Sequence, residues 1–246
     1  MTRIIKITLE YDGTDYAGWQ VQPDAATLQG TVEEALEKIL KEPTPVRGAG
    51  RTDAGVHAAG QVAHFETSSQ MTTDEFVRAL NSEPPEDVRV LSAEEAPAGF
   101  HARRSAQSRT YRYAVTHVDS VFTRRNAYYV PGPLDVEAMR QAAAALVGEH
   151  DFAAFGNLSD DYDSTTRCVT ELRLEETLNG LEFHVTANAF LYKMVRNVVA
   201  TLLAVGRGEL APADVARLLA AGDRTALGPP APPQGLTLMR VTYGSI

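Results

Sequence analysis

The order of the predicted strands and helices constrains the fold of this chain more than any other feature. Residues Arg3–Tyr11 alternate Ile5, Ile7 and Leu9 with polar side chains, a pattern typical of a half-buried strand. A capping box at Thr31–Glu34 then predicts the start of a helix. After it we predict a strand, a helix opened by a second capping box, and another strand: Gln61–Thr67, Thr72–Leu80 and Val88–Ala93.

The second half of the chain repeats this order. We predict a strand, a helix capped by Asp135, a hairpin turning at Asn179-Gly180, a largely buried helix, a helix framed by Pro212 and Gly222, and a last strand. The strands and the buried helix are Arg109–Thr116, Arg167–Glu175, Leu181–Thr186, Phe190–Val205 and Leu236–Tyr243.

Strand–helix–strand–strand–helix–strand is the element order of a ferredoxin-like unit, and each half of the chain follows it, with one strand fewer in the first half and one helix more in the second. The sequence therefore predicts an α+β protein with a mixed, mainly antiparallel β-sheet flanked by helices. We place the boundary near Pro97–Ala106, which separates an N-terminal half (1–100) from a C-terminal half (101–246).

Charge is distributed unevenly along the 246 residues. The formal net charge is −9, which alone argues against a nucleic-acid partner. Yet His101–Val130 holds six arginines and one acid, and Asn188–Gly208 holds three cations and no acid. An acidic body with two basic stretches suits a localised polyanion site, although a few solvated arginines on strands would give the same counts.

Composition also indicates the compartment. Hydrophobic residues make up 44% of the chain and charged residues 22%, as in ordinary globular proteins. The single cysteine, Cys168, excludes an intrachain disulfide and a Cys-rich zinc site. Neither a membrane-spanning stretch nor an export signal is apparent, so we expect a cytoplasmic protein.

The densest candidate chemistry lies in Gly48–His57. Asp53 stands beside Arg51 between glycines, where it could act as a nucleophile or a base. A plain Asp-Ala-Gly turn is the alternative, and the pattern alone favours it. A dinucleotide-binding fingerprint fails because Asp53 occupies its third glycine position, and no phosphate-binding Gly-Lys-Ser/Thr sequence is present.

Two other candidate sites are weak. Tyr11-Asp12-Gly13-Thr14 is similar to a phosphatase strand end, but Glu10 stands where the nucleophilic Asp belongs. His57 and His64 lie seven residues apart without a third histidine in ligand spacing. We therefore expect neither phosphoryl transfer nor a metal site.

Two further segments suggest RNA chemistry. Arg109, Tyr111 and Tyr113 share one face of a predicted strand, where arginine can pair phosphates and tyrosine can stack on bases. A core aromatic with an arginine at the rim is an equal alternative. Arg196 lies on a mainly apolar helix, where a guanidinium is costly unless it is paired or reaches water, and a buried carboxylate is its natural partner.

Together these motifs resemble the TruA family of tRNA pseudouridine synthases. Gly50–Ala58 is similar to the catalytic motif of that family, and seven further segments match in order: Tyr11–Thr14, Gly18–Gln20, Phe100–Arg103, Ser108–Tyr111, His150–Phe152, Tyr192–Asn197 and Gly235–Leu236. The resemblance covers nearly the whole chain. Two departures, Arg104 and Thr237, stand where the family often has an aromatic residue.

The resemblance implies isomerisation of uridine to pseudouridine at nucleotides 38, 39 and 40 of the tRNA anticodon stem and loop. It implies no metal, nucleotide or other cofactor, and a homodimer that binds tRNA. Asp53 would be the nucleophile, with its point of attack left open between C1′, C6 and a glycal route. Arg196 would pair with Asp53, and Tyr111 would stack on the uracil.

The resemblance implies further substrate-binding residues. Arg51 would hold the flipped nucleotide, Leu236 would line the pocket, and Arg109 and Lys193 would contact the RNA. A non-catalytic RNA-binding module with the same fold is the rival interpretation. It would be expected to lack Asp53, Arg196 or Tyr111, and this sequence has all three.

Overall fold

The computed structural model describes residues 2–157 and 163–244 of the chain. The helices within these ranges are α1 (Leu28–Leu40), α2 (Thr73–Ser82), α3 (Val136–Ala144), α4 (Met194–Gly206) and α5 (Pro212–Ala221). The strands are β1 (Arg3–Tyr11), β2 (Arg47–Gly48), β3 (His57–Thr67), β4 (Val88–Ala96), β5 (Ala106–Thr116), β6 (Tyr128–Tyr129), β7 (Gly148–Asp151), β8 (Thr166–Thr177), β9 (Gly180–Ala187) and β10 (Leu236–Tyr243).

The chain divides into two compact units. The first comprises Met1–Gln107 and Thr237–Ile246, and the second comprises Ser108–Leu236. This division lies after residue 107 rather than 100, and the end of the chain returns to the first unit instead of staying in the second. The reason is hydrogen bonding, since β10 pairs in parallel with β3 through Thr237↔His57 and Leu238↔Ala58.

The sheet of the first unit has the strand order expected of a ferredoxin-like half. β1 pairs antiparallel with both β3 and β4, and β2 pairs antiparallel with β3. The alternating residues Ile5, Ile7 and Leu9 are fully buried, as predicted. Phe65 of β3 packs edge-to-face on Phe76 of α2 with ring centroids 5.4 Å apart. Burial of such side chains contributes about 1.5–3 kcal/mol each.

In the second unit the strands pair antiparallel in the order β5-β9-β8-β7, and β6 pairs in parallel with β5. Alternate residues of β5, including Tyr111 and Tyr113, are buried, as are Phe183 and Val185 of β9. Helix α4 is buried along most of its length. The fold class is therefore α+β, with mixed, mainly antiparallel strands flanked by helices.

Local signals predicted several boundaries correctly. Strand β1 has the predicted bounds, and the capping box at Thr72 and Glu75 opens α2. The Asp135 side chain accepts a hydrogen bond from the Ala138 backbone nitrogen and caps α3. Gly222 ends α5 in the left-handed conformation, with φ +66°.

The predicted start of α1 is wrong by one turn. The N-cap is Thr27, whose side chain accepts a hydrogen bond from the Gly30 backbone nitrogen, and Thr31 lies inside the helix. Leu28 explains the difference because it is fully buried and precedes Val32 by four residues. The extra turn therefore extends the apolar stripe of the helix.

The predicted hairpin turn and the predicted start of α4 also shift. Thr177 pairs with Gly180, so the turn residues are Leu178 and Asn179. Gly180 instead allows β9 to pack closely against β5, since a Cβ at Gly180 would lie 2.0 Å from the Val115 carbonyl oxygen. Helix α4 begins at Met194 rather than Phe190 because Lys193 adopts a left-handed conformation with φ +61°.

The corrected cap of α1 yields a stability prediction. Replacing Thr27 by Ala should lower the free energy of unfolding by about 1 kcal/mol, because the cap hydrogen bond is lost. Thr31→Ala is the matched control, since the Thr31 hydroxyl only donates back to the Thr27 carbonyl within the helix. Urea denaturation of both variants measures the difference. A larger loss for Thr31→Ala would contradict the assignment of the cap.

Candidate functional site

Asp53 lies on a tight turn in the first unit, between β2 and β3. The Val56 backbone nitrogen donates to the Asp53 carbonyl over 3.1 Å, and Gly55 has φ +75°. Asp53 is half-buried, whereas the neighbouring Arg51 is exposed. The turn thus presents a carboxylate at a partly shielded position next to an exposed cationic side chain.

The segment between β1 and α1 packs backbone-to-backbone against this turn. A Cβ at Gly13 would lie 2.0 Å from the Val56 carbonyl oxygen, and one at Gly18 would lie 2.7 Å from the Thr52 carbonyl oxygen. The Trp19 backbone nitrogen donates to the same Thr52 oxygen over 3.0 Å. Because only glycine leaves room for this approach, the segment fixes the backbone on both sides of Asp53.

Buried polar side chains hold the turn from below. The hydroxyl groups of Tyr11 and Thr52 are 2.9 Å apart, and the Gln61 amide nitrogen donates to the Tyr11 oxygen over 3.3 Å. The same amide donates to the Gly50 carbonyl over 2.8 Å. Burial raises the pKa of Tyr11 far above its usual range, so the phenol stays neutral as a member of this network.

Trp19 closes the turn from another direction. Its side chain is only 2% exposed and lies so close to Gly48 that a Cβ there would be 2.6 Å from the indole. Its ring centroid lies 6.2 Å from that of Tyr11. The Asp53 turn is therefore enclosed by a rigid aromatic and hydrogen-bonded frame rather than held by the local sequence alone.

Asp12 has a structural role. Its carboxylate accepts hydrogen bonds from the Thr14 backbone nitrogen over 2.9 Å and from the Thr14 hydroxyl over 2.5 Å. This is a side-chain-stabilised turn of the kind that Asp commonly forms. The Gly13 backbone nitrogen next to it donates to His57 Nδ1 over 3.1 Å, which links the turn to β3.

Arg196 lies in the first turn of α4, in the second unit, and is only 8% exposed. Its Nε donates to the Ala231 carbonyl over 2.7 Å, and the Ala231 nitrogen donates to the Arg196 carbonyl over 3.1 Å. This reciprocal pair binds the helix to the proline-rich loop, Gly228–Gly235. A guanidinium buried to this extent is costly unless hydrogen bonds and an opposite charge compensate it.

Tyr111 and Arg109 lie on the buried face of β5. Tyr111 is 9% exposed and packs edge-to-face on Phe190, with ring centroids 5.2 Å apart. Arg109 is 8% exposed and donates from Nη1 to the Asn188 carbonyl over 2.8 Å. Arg109 thus fixes the segment that precedes α4, and its predicted contact with RNA stays a prediction.

The remaining predicted residues lie at element ends. Leu236 is 6% exposed and begins β10, while the Lys193 ammonium lies 4.9 Å from the Tyr192 ring centroid. Of the six arginines in the first basic stretch, four are exposed: Arg103, Arg104, Arg124 and Arg125. Arg109 and Arg112, by contrast, are at least partly buried.

Comparison with known proteins identifies the family. The family profile described as tRNA pseudouridine synthase matches residues 7–103 and 142–244. The chain belongs to this family. It is 44% identical to tRNA pseudouridine synthase A of Caldicellulosiruptor bescii over 98% of this chain and all of that protein. It is 46% identical to the protein of the same name from Citrifermentans bemidjiense, over 98% of each chain.

Membership of the tRNA pseudouridine synthase family makes the protein an isomerase that acts on uridine in tRNA. The predicted resemblance is therefore confirmed. No helix within residues 2–157 and 163–244 is long and apolar enough to cross a membrane.

The structure groups the predicted site residues by unit. Arg51 and Asp53 share one loop of the first unit, and the second unit holds the others: Arg109, Tyr111, Lys193, Arg196 and Leu236. Sequence reasoning missed the roles of Gly18 and Trp19 in holding the Asp53 turn. The Gly18–Gln20 motif was visible, but its contact with residues 52–54 is set by the fold of the sheet.

One cluster outside these residues has the composition of a metal site. Glu175, Glu182 and His184 lie on β8 and β9 with ligand atoms within 4.8 Å of one another. Arg112 pairs with Glu182 over 3.4 Å, and Arg173 pairs with Glu175. These arginines already supply the positive charge that the carboxylates need, so the cluster is explained by ion pairing across the strands.

The contact of Gly18 with the Asp53 turn predicts that a substitution there lowers activity as well as stability. Gly18→Ala should cost about 1–2 kcal/mol of stability because of its positive φ, and should also lower activity by displacing residues 52–54. Gly99→Ala is the control, since Gly99 has φ +83° but open space around its Cβ position. Urea denaturation and an isomerisation assay measure both effects. Equal activity of the two variants would contradict the proposed constraint on the turn.

Proposed function

We propose that the protein isomerises uridine to pseudouridine at nucleotides 38, 39 and 40 of the tRNA anticodon stem and loop, with Asp53 as the nucleophile. The observation that carries this proposal is the Asp53 turn, whose backbone is fixed by contacts with Gly13, Gly18 and Trp19. Such a rigid frame is what a reacting carboxylate requires, because small displacements of a reacting group are costly. A simple surface turn has no need of it.

The reaction balances within the nucleotide itself. The bond between uracil N1 and ribose C1′ breaks, the base rotates, and a bond forms between C5 and C1′. The C5 proton leaves, N1 gains a proton and the carboxylate is regenerated, so the net reaction consumes no oxidant, reductant or group donor. The proposal therefore includes no cofactor. Attack on C1′, attack on C6 and a glycal route all use an ionised carboxylate at the sugar–base junction.

Arg196 is proposed to be the cation that keeps Asp53 ionised. Its burial in the second unit supports this role, since a guanidinium with little access to water gains most from a carboxylate partner. The reciprocal hydrogen bonds with Ala231 fix its direction. A cation held in this way stabilises charge without reorganising during the reaction.

The other site residues are proposed to bind the target nucleotide. Tyr111 stacks on the flipped uracil, and Arg51 holds the nucleotide out of the stem, a step that costs a few kcal/mol in base flipping generally. Leu236 lines an apolar pocket that excludes water from the reacting sugar. Arg109 and Lys193 are proposed as further contacts with the RNA.

The proposed partner is tRNA, bound through its phosphates to exposed arginines such as Arg103, Arg104, Arg124 and Arg125. A homodimer and a cytoplasmic location complete the proposal. Both rest on the family resemblance, and the cytoplasm also agrees with the single cysteine.

Release of tritium from unmodified tRNA that carries 5-tritiated uridine tests the proposal, because the C5 hydrogen leaves only when the new bond forms. The wild-type protein should release tritium without added metal or nucleotide. Asp53→Asn should abolish release while it retains tRNA binding, because the amide cannot act as a nucleophile.

Asp24→Asn is the matched control for this charge change. Asp24 is exposed and has φ +57°, a conformation that Asn tolerates well. It should release tritium at the wild-type rate. Release by Asp53→Asn at that rate would refute the nucleophile, and tRNA binding without release by the wild-type protein would favour a non-catalytic binding module.

A further inference from the structure

Arg224 joins three parts of the second unit around the start of α4. It lies in a short 3-10 helix, Arg224–Ala226, at the entrance to the proline-rich loop. Its Nε donates to the Asn157 side-chain oxygen over 3.4 Å, and its Nη2 donates to the Asn197 side-chain oxygen over 3.3 Å. Its Nη1 donates to the Leu227 carbonyl over 3.2 Å. One guanidinium therefore bridges two asparagines and the loop.

Asn197 follows Arg196 directly on α4 and is only 1% exposed. Its amide nitrogen donates to the Phe155 carbonyl over 2.6 Å, which directs its oxygen toward Arg224. A buried amide with both ends bonded in this way has a fixed orientation. The first turn of α4 is thereby tied to the segment around residue 155 and to Arg224.

The proline-rich loop is held at its start and again at Ala231, near its middle. At its start, Arg224 donates to the Leu227 carbonyl and, over 3.3 Å, to the Gly228 carbonyl. At Ala231, the loop exchanges two hydrogen bonds with Arg196. The position of the carbonyl that accepts from Arg196 Nε consequently depends on where Arg224 holds the beginning of the loop.

Asn157 closes the network on the other side of the helix start. Its backbone nitrogen donates to the Tyr192 carbonyl over 2.9 Å, and its side chain accepts from Arg224. Tyr192 and the left-handed Lys193 form the turn that leads into α4. Arg224 thus bears on the helix start through Asn157, on its first turn through Asn197, and on the loop directly.

We propose that Arg224 is a positioning residue for the isomerisation, which acts through Asn197 and the proline-rich loop to aim the Arg196 guanidinium. This inference rests on the proposed catalytic role of Arg196. Arg224 itself is assigned no contact with the reacting nucleotide. Its loss should therefore lower the rate of the chemical step and leave tRNA binding nearly unchanged.

Steady-state tritium release by Arg224→Ala, Arg224→Lys and the wild-type protein tests the inference. We expect kcat of Arg224→Ala to fall by about tenfold to a hundredfold, with KM for tRNA within about twofold of wild type. Guanidinium ion at non-denaturing concentration should restore part of the kcat of Arg224→Ala. The kcat of Arg224→Lys should lie between those of Arg224→Ala and the wild-type protein.

Arg217→Ala on α5 is the matched control, since the side chain of Arg217 is 76% exposed and pairs only with Asp214 among the ion pairs observed for the described residues. It should keep the kcat and KM of the wild-type protein and should not respond to guanidinium ion. Thermal unfolding of every variant separates a loss of stability from a loss of positioning.

Three results would overturn the inference: an unchanged kcat for Arg224→Ala, a raised KM with unchanged kcat, or a fall in kcat that follows the melting temperature across the variants without guanidinium rescue. Asp53→Asn in the same assay keeps the two proposals apart. If wild type is active, Asp53→Asn is inactive and Arg224→Ala behaves as wild type, only the role of Arg224 fails. If Asp53→Asn is active, the proposed function itself fails.

Discussion

The close approach of the β1–α1 segment to the Asp53 turn is the contact on which the rest of the first unit depends. Two glycines permit it, since any side chain at Gly13 or Gly18 would meet backbone atoms of residues 52–56. The segment follows β1, which pairs with both β3 and β4, and leads into α1. The contact therefore anchors the turn to the sheet and to the helix. Asp53 therefore sits on a short loop that behaves as part of the sheet.

In the second unit the main constraint is the burial of a cation. Arg196 is 8% exposed on a mainly apolar helix, and its backbone and side chain both bond to Ala231. The proline-rich loop supplies that carbonyl, and Arg224, which also bonds to Asn197, holds the start of the loop. Proline stiffens such a loop and reduces the entropy lost when it is ordered. A fixed cation can stabilise charge with little reorganisation.

The sequence predicts elements well where the signal is local. Alternation set β1, and capping residues set α2 and α3, because these patterns depend only on neighbouring side chains. The sequence predicts an element boundary wrongly where a contact with a distant residue determines that boundary. The capping-box rule pointed to Thr31, but burial of Leu28 moved the cap to Thr27. Gly180 looked like a turn residue, yet its missing side chain serves the approach to Val115.

The candidate site shows the same division. The motif made the glycine-flanked Asp53 a candidate nucleophile or base, but the pattern alone favoured an ordinary turn, and the family resemblance decided for the nucleophile. Gly18 and Trp19 act on it from over thirty residues away. Arg224 carries no local signal at all, because its partners Asn157 and Asn197 are brought to it by the fold.

The positions and the nucleophile can be tested together by mapping pseudouridine in unmodified tRNAs after incubation with the wild-type protein or with Asp53→Asn. We expect pseudouridine at nucleotides 38, 39 and 40 with the wild-type protein and none with the variant. Pseudouridine confined to other positions, or its formation at these positions by Asp53→Asn, would contradict this expectation.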